Sequence, residues 1–308
     1  MRVTVLAGGT GSIKLIRGLD KCPDLEISVI SNVGDNIWIH GLYVCPDIDI
    51  VMYGLAGILN QKQGWGIQGD TFNFMAQAES YGRETWFKLG DMDLATHIVR
   101  TKLLEEGLNL TEITRQLSKT LGIRHKIVPA TNNSLQTFVR NAKEEVHLQE
   151  FWVKGKGRGV VKDVVYRGAR TAKITPEVDQ AIESADLILI LPANPITSIG
   201  PILSIPRIRK KIRASRAKCV GISPIIGNRP ISGPTNKLLA ALGIEVSVLG
   251  IAKLYSDVIS KIFISKEDGR LKDKIRDHDV EPYTSQILMK DELQEKELAK
   301  EILKRALE

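Results

Sequence analysis

Short apolar runs alternate with polar, glycine-bearing breaks along most of this chain. Residues 2–6 read as a buried strand, break at Ala7-Gly8-Gly9-Thr10-Gly11-Ser12-Ile13-Lys14, and continue as a helix over Leu15 to Leu19. A second strand over residues 25–30 ends in Ser31-Asn32-Val33-Gly34-Asp35-Asn36, and a third apolar stretch ends in Pro46-Asp47-Ile48-Asp49. Further runs at residues 126–129, 187–191, 219–222 and 245–249 read as strands, with helical segments between several of them. This alternation predicts an α/β fold with a doubly wound, mostly parallel sheet covered on both faces.

Two stretches depart from that rhythm. Residues 51–59, 70–81, 93–106 and 110–121 have helical periodicity, which predicts a helical insertion over 51–122 leaning on the strand C-terminal ends. Residues 134–167 alternate and are punctuated by Gly155-Lys156-Gly157-Arg158-Gly159, which predicts an antiparallel extension of the sheet. The chain then reads as one domain over 1–308, with its core at 1–50 and 123–265 and a helical tail at 266–308. A length of 308 residues is enough to bury such a core.

Composition narrows the function classes. No apolar run reaches the ~18 residues of a membrane span, and residues 2–6 look like a first strand rather than a leader, so a cytoplasmic location is expected. Three scattered cysteines, with no CxxC pair, suggest neither zinc nor a disulfide framework. The formal charge is +7, but basic residues are dispersed, with local density at 154–170 and 207–218, and aromatics show no stacking pattern. That favours solvated faces and a pocket for an anionic small molecule over a nucleic-acid groove.

The polar breaks carry the candidate chemistry. Gly9, Thr10 and Gly11 open a helix after the first strand, where backbone N–H groups and the helix N-terminus suit a phosphate, with Lys14 one turn on. Asp35 occupies a place where dinucleotide folds put an acid on a ribose hydroxyl, although Asn, Gly and Asp are also plain turn residues. Asp47 and Asp49 precede an apolar helix. One can serve as a cap, but two carboxylates at this spacing also suit Mg²⁺ or the activation of a hydroxyl. Asp93, His97 and Arg100 share one helix face, either exposed to solvent or turned to an anionic substrate. Trp65, Trp86 and Phe87 suit a core or the wall of a flat ring. Asn194, Thr197 and Ser198, and then Ser223 and Gly227, lie in rigid Pro/Gly loops after two successive strands, which are more than connections need.

Taken together, these motifs resemble the 2-phospho-L-lactate transferases (the CofD family) of deazaflavin coenzyme F-420 biosynthesis. The resemblance is carried in order by Gly8-Gly9-Thr10-Gly11 with Lys14, Asn32-Val33-Gly34-Asp35, His40-Gly41-Leu42, Pro46-Asp47-Ile48-Asp49, Trp65-Gly66-Ile67, Lys88-Leu89-Gly90-Asp91 with Ala95-Thr96-His97 and Arg100, residues 194–202, and Ser223 to Gly227 with Ser232-Gly233-Pro234. It implies a Rossmann-like fold and a Mg²⁺-dependent transfer. The donor would be lactyl- or enolpyruvyl-diphosphoguanosine, and the acceptor the ribityl hydroxyl of the deazaflavin Fo. The products would be GMP and F-420-0, or its dehydro form. Gly9, Thr10, Gly11 and Lys14, with Asn194, Thr197, Ser198, Ser223 and Gly227, would hold the donor, and Asp35 a ribose. Asp49 and Lys88 would bind Fo, Asp49 would act on the attacking hydroxyl, and Asp47 would hold the metal. The chain departs from the family pattern at Asn36, where many relatives carry a second acid. A homodimer is expected only as the commonest assembly. The alternative is a UDP-sugar-binding regulator of the same fold, but such proteins have a serine/glycine-rich run where this chain reads Asn36-Ile37-Trp38-Ile39-His40-Gly41. An NAD-dependent dehydrogenase ranks lower, because the strict GxGxxG is missing.

Overall fold

The computed structural model describes residues 1–231 and 233–308. Ser232, one residue of the resemblance, lies outside the described residues. Seven strands form the central sheet: β1 (Arg2–Ala7), β2 (Glu26–Ser31), β3 (Lys126–Pro129), β4 (Leu187–Ile190), β5 (Lys218–Ile222), β6 (Lys261–Ser265) and β7 (Glu281–Ser285). Their order is β7-β6-β5-β4-β1-β2-β3, and every pairing is parallel. This is the Rossmann order with one further strand. All four residues of β4 have no exposed surface, because a central parallel strand is covered on both faces.

The helices that matter for the site are α1 (Gly9–Asp20), α2 (Pro46–Leu55), α3 (Asn73–Ser80), α4 (Asp91–Glu105) and α5 (Leu110–Thr120). Helices α3 to α5 make up much of the expected helical insertion. Pro46 takes a first-turn position where its missing N–H costs nothing, so α2 begins before Asp47 rather than after Asp49. Neither aspartate caps it. No described helix is long and apolar enough to cross a membrane.

Three expectations need correction. Residues 134–167 do not extend the main sheet. They form a separate antiparallel sheet in which Gln136–Arg140 pairs with both Glu145–His147 and Asp163–Arg167. Alternation revealed antiparallel pairing but not the partner, and Pro129 suits β3 to the edge that ends the main sheet. Residues 245–249 are not a strand. The Ser247 hydroxyl accepts from Gly250 N and caps a helix at Val248–Tyr255, which a short apolar run cannot distinguish from a strand. The tail is not wholly helical, since β7 lies within it. Its sequence, EPYTS, is too polar to stand out, because β7 is the opposite edge strand.

The C-terminal helix, Glu292–Leu307, covers α1. Gly18 allows this: a Cβ there would lie 2.1 Å from the Glu295 carbonyl oxygen. Arg17 Nε donates to Glu295 Oε2 at 3.1 Å in the same contact, and Glu295 is buried. Gly18→Ala is therefore expected to destabilise the protein by about 1–3 kcal/mol, as overpacking does. Urea denaturation checks this, and an unchanged midpoint would show that the two helices can part without cost.

Candidate functional site

Strand order reverses between β1 and β4, so the loops that follow them diverge to opposite sides and leave a crevice. The loops approach closely at their base. A Cβ on Gly11 would lie 2.3 Å from Pro192 O, and one on Gly8 would lie 2.5 Å from both Ser198 Cβ and Asp47 Oδ2. Gly9 has φ +61°, which disfavours any side chain. The N-cap residue Gly8 has no side chain to cap α1; Asp47 accepts from the Gly9 N–H, and Thr10 and Gly11 line the crevice beside it. Asn194 shapes the second loop, its Oδ1 accepting from Ile196 N at 2.9 Å and Thr197 N at 3.1 Å.

A cavity of about 480 Å³ fills the crevice. Its lining includes Gly9, Thr10, Gly11, Asn194, Thr197 and Ser198 from the loops after β1 and β4, together with Trp65, Trp86, Phe87, Lys88, Tyr53 and Trp152. Trp152 comes from a π-helical turn, Glu150–Lys154, and was not singled out by any sequence signal. Lys154 Nζ donates to Glu84 at 2.9 and 3.0 Å and joins the walls around Trp86 and Trp152.

Asp35, Asp47 and Asp49 line the same cavity, all buried. Asn32 organises them. Its Nδ2 donates to Asp47 Oδ2 at 2.9 Å and to Thr197 O at 3.1 Å, and approaches Asp35 Oδ1 at 3.4 Å. Its Oδ1 accepts from Gly34 N at 2.8 Å. Asp35 also accepts from Gln149 Nε2 at 3.2 Å. Burial pushes the Asp35 carboxyl well above its ordinary range, and the charge of Asp47 adds to this. Burial pushes Asp47 up to about 7, against the pull of hydrogen bonds from Asn32, Ser198 and Gly9 N–H. Asp49 is also raised by burial, opposed by the Arg100 guanidinium and His97.

The positive charge is elsewhere. Lys88 is the one cationic side chain lining the cavity among the described residues, so the net charge of +7 does not describe the site. Asp93, His97 and Arg100 do not lie at the surface. All three are buried; Asp93 reaches the cavity wall, whereas His97 and Arg100 do not line the cavity and lie behind Asp49, with Arg100 fully buried. Lys14, Ser223 and Gly227 do not line the cavity. Lys14 Nζ donates to Met289 O at 2.8 Å, because its side chain runs toward the C-terminal segment. The Ser223 hydroxyl donates to Ile225 O at 2.9 Å, and Gly227 N donates to both Asp268 oxygens at 3.1 Å. Gly233 and Pro234, from the same Pro/Gly loop, reach the cavity in their place.

The raised Asp47 carboxyl fixes the sign of a pH effect. The folded protein keeps this proton up to about pH 7, whereas the unfolded chain releases it near 3.8, so stability declines as pH rises between those values. In the presence of a chelator, Asp47→Asn is therefore expected to lose less melting temperature than the parent between pH 5 and pH 8. Equal losses in the two proteins, read by thermal denaturation, would remove Asp47 as the source.

Comparison with known proteins shows the family. The family model described as CofD, 2-phospho-L-lactate transferase, matches residues 3–305. The chain is 40% identical over 267 residues to a 2-phospho-L-lactate transferase of Methanosarcina mazei, covering 86% of this chain and 87% of the relative. It is 40% identical over 261 residues to a phosphoenolpyruvate transferase of Streptomyces coelicolor, covering 83% and 82%. A crystal structure of a UPF0052-family protein from Bacillus halodurans superposes with a TM-score of 0.63 at 18% identity, covering 98% of this chain and 99% of that one, which shows the shared fold. The regulatory alternative gains no support from these relatives. With strand order, crevice and family match in agreement, the chain belongs to the CofD family of 2-phospho-L-lactate transferases.

Proposed function

We propose that this enzyme transfers a phospholactyl or phosphoenolpyruvyl group from the corresponding diphosphoguanosine to the ribityl hydroxyl of Fo. The observation that carries this reading is one cavity lined together by a glycine loop, aromatic side chains and buried carboxylates. The loops at Gly9 to Gly11 and at Asn194, Thr197 and Ser198 suit a diphosphate. Trp65, Trp86, Phe87 and Trp152 suit a flat deazaflavin ring, with Lys88 as its cationic contact. The acceptor oxygen forms a bond to the phosphorus bearing the lactyl or enolpyruvyl group. The bond to the GMP phosphate breaks, and GMP leaves with the electron pair. Transfer of this kind depends on positioning and charge neutralisation. Asp49 accepts a hydrogen bond from the attacking hydroxyl, orients it and takes its proton as the new bond forms.

A divalent cation fits this centre. Burial raises the proton affinity of both Asp35 and Asp47, the charge of Asp47 raises that of Asp35 further, and the donor brings more negative charge. Among the described residues no group of three or more His, Cys, Asp or Glu converges as a complete ligand set. That suits Mg²⁺, which is usually held by one or two carboxylates together with substrate phosphates. Asp47 would hold it, with Asp35 beside it. Mg²⁺ would supply neutralisation of the diphosphate charge. A cytoplasmic homodimer belongs to the same reading, the dimer resting on the prevalence of two-fold assemblies.

Relatives of both names match at 40% identity, so the test uses both donors. Purified protein with Fo, Mg²⁺ and each donor is expected to yield GMP and F-420-0 or its dehydro form, followed by mass spectrometry. Chelation should abolish product and Mg²⁺ should restore it. No product from either donor, with tight binding of a UDP-sugar, would overturn the reading. Asp49→Asn is expected to lower kcat by about 100-fold or more, the scale of a lost positioned proton acceptor. Lys88→Ala is expected to raise the KM for Fo by roughly tenfold, the scale of one charge-assisted hydrogen bond, with a smaller effect on kcat. Steady-state kinetics separate the two.

A further inference from the structure

The face of α4 that carries Asp93, His97 and Arg100 has no part in the chemistry above, yet it is built with unusual economy. Arg100 is the largest side chain in the protein with no exposed surface among the described residues. Its guanidinium forks onto Asp49: Nη1 donates to Oδ2 at 3.1 Å and Nη2 donates to Oδ1. Nη1 also reaches Tyr43 O at 3.3 Å, while Nε is buried without a partner. A buried cation with one N–H left unsatisfied needs an explanation. The fork supplies one, because two parallel contacts fix the plane of a carboxylate where a single contact leaves it free to turn.

His97 continues the chain. Its Nδ1 lies 3.2 Å from Arg100 Nη1 and 3.7 Å from Asp49 Oδ2. Arginine only donates, so Nδ1 must accept, which leaves the proton on Nε2. Nε2 lies 3.2 Å from Asp93 Oδ1, off the line of a straight hydrogen bond. The same Asp93 oxygen accepts from the Tyr53 hydroxyl at 2.6 Å, and Tyr53 and Asp93 both line the cavity. Asp70 anchors the assembly at its start, accepting from Met92 N at 2.8 Å and Asp93 N at 3.0 Å. A continuous set of contacts thus runs from the cavity wall at Tyr53 through Asp93, His97 and Arg100 to the back of Asp49.

We infer that Asp93, His97 and Arg100 are positioning residues, which lock the Asp49 carboxylate plane toward the acceptor hydroxyl and tie it to the wall residue Tyr53. This rests on the transferase reading for the identity of the acceptor, but not for the arrangement itself. Two measurements test it on the full-length protein. The first is the imidazole ¹⁵N spectrum, with His97 assigned by its loss in His97→Gln. The expected state has Nε2 protonated and Nδ1 free. The opposite tautomer overturns the assembly whatever the substrate is. The second is steady-state kinetics with Fo and the better donor. Arg100→Lys keeps the charge and loses the fork, and is expected to lower kcat about 100-fold, the scale of a small misplacement of a reacting group. Its KM for Fo should stay within about threefold, since the acceptor's own contacts remain. Tyr53→Phe removes one hydroxyl and should lower kcat by about tenfold, the scale of one lost hydrogen bond. In Arg100→Ala, added guanidinium should restore part of the turnover. If kcat is unchanged in both Arg100→Lys and Tyr53→Phe while melting temperature falls, the residues serve folding alone and the inference fails. If the parent enzyme turns over neither donor, the transferase reading fails and the tautomer still decides the assembly.

Discussion

One buried amide holds the site together. Asn32 joins the loop after β2 to Asp47 on α2 and to the Thr197 carbonyl in the loop after β4, while its own oxygen closes the turn at Gly34. These segments belong to different βα units, and nothing in the central sheet alone sets their distance. An amide is the side chain that can do this. It donates to a carboxylate and a carbonyl and accepts from a backbone N–H at once, which neither an acid nor a hydroxyl of that length can match. The approach also needs absent side chains: a Cβ on Gly34 would meet Pro201 and Thr137 at 2.7 Å.

A basic protein has an acidic centre. Several surface cations stand in exposed pairs, such as Arg124 with Asp20 and Arg276 with Glu281. Such pairs contribute little stability and say little about ligands. Within the cavity the balance is reversed, because burial keeps the carboxylates of Asp35 and Asp47 proton-hungry and the charge of Asp47 adds to this at Asp35. Net charge therefore misleads about this pocket, and the local count of buried groups is the informative quantity.

The sequence shows the sheet's first half well, because each strand is a short apolar run closed by a glycine or polar break whose place at a strand end gives it meaning. The glycine loop at Gly9 to Gly11, the acids Asp47 and Asp49 and the loop at Asn194 all reach the cavity as expected. Lys14 shows where such reasoning stops. Its position one turn into α1 is consistent with a phosphate contact, and only the course of the distant C-terminal segment sends it to Met289. Asp93, His97 and Arg100 show the same limit from the other side. Their spacing reveals a shared face, but whether that face is wet or buried depends on how α4 packs against Tyr43 and α2, contacts that no local pattern encodes. Trp152 was invisible for a related reason: a π turn has no hydrophobic period of its own.

The cavity wall is drawn from two parts of the chain. Gly9, Thr10, Gly11, Asn194, Thr197 and Ser198 belong to loops at the tips of β1 and β4. Trp65, Trp86, Phe87 and Lys88 come from the insertion before β3, joined to the Trp152 turn by the exposed pair of Glu84 and Lys154. A lineage could vary these wall residues of the insertion while the loops at the strand tips stay as they are.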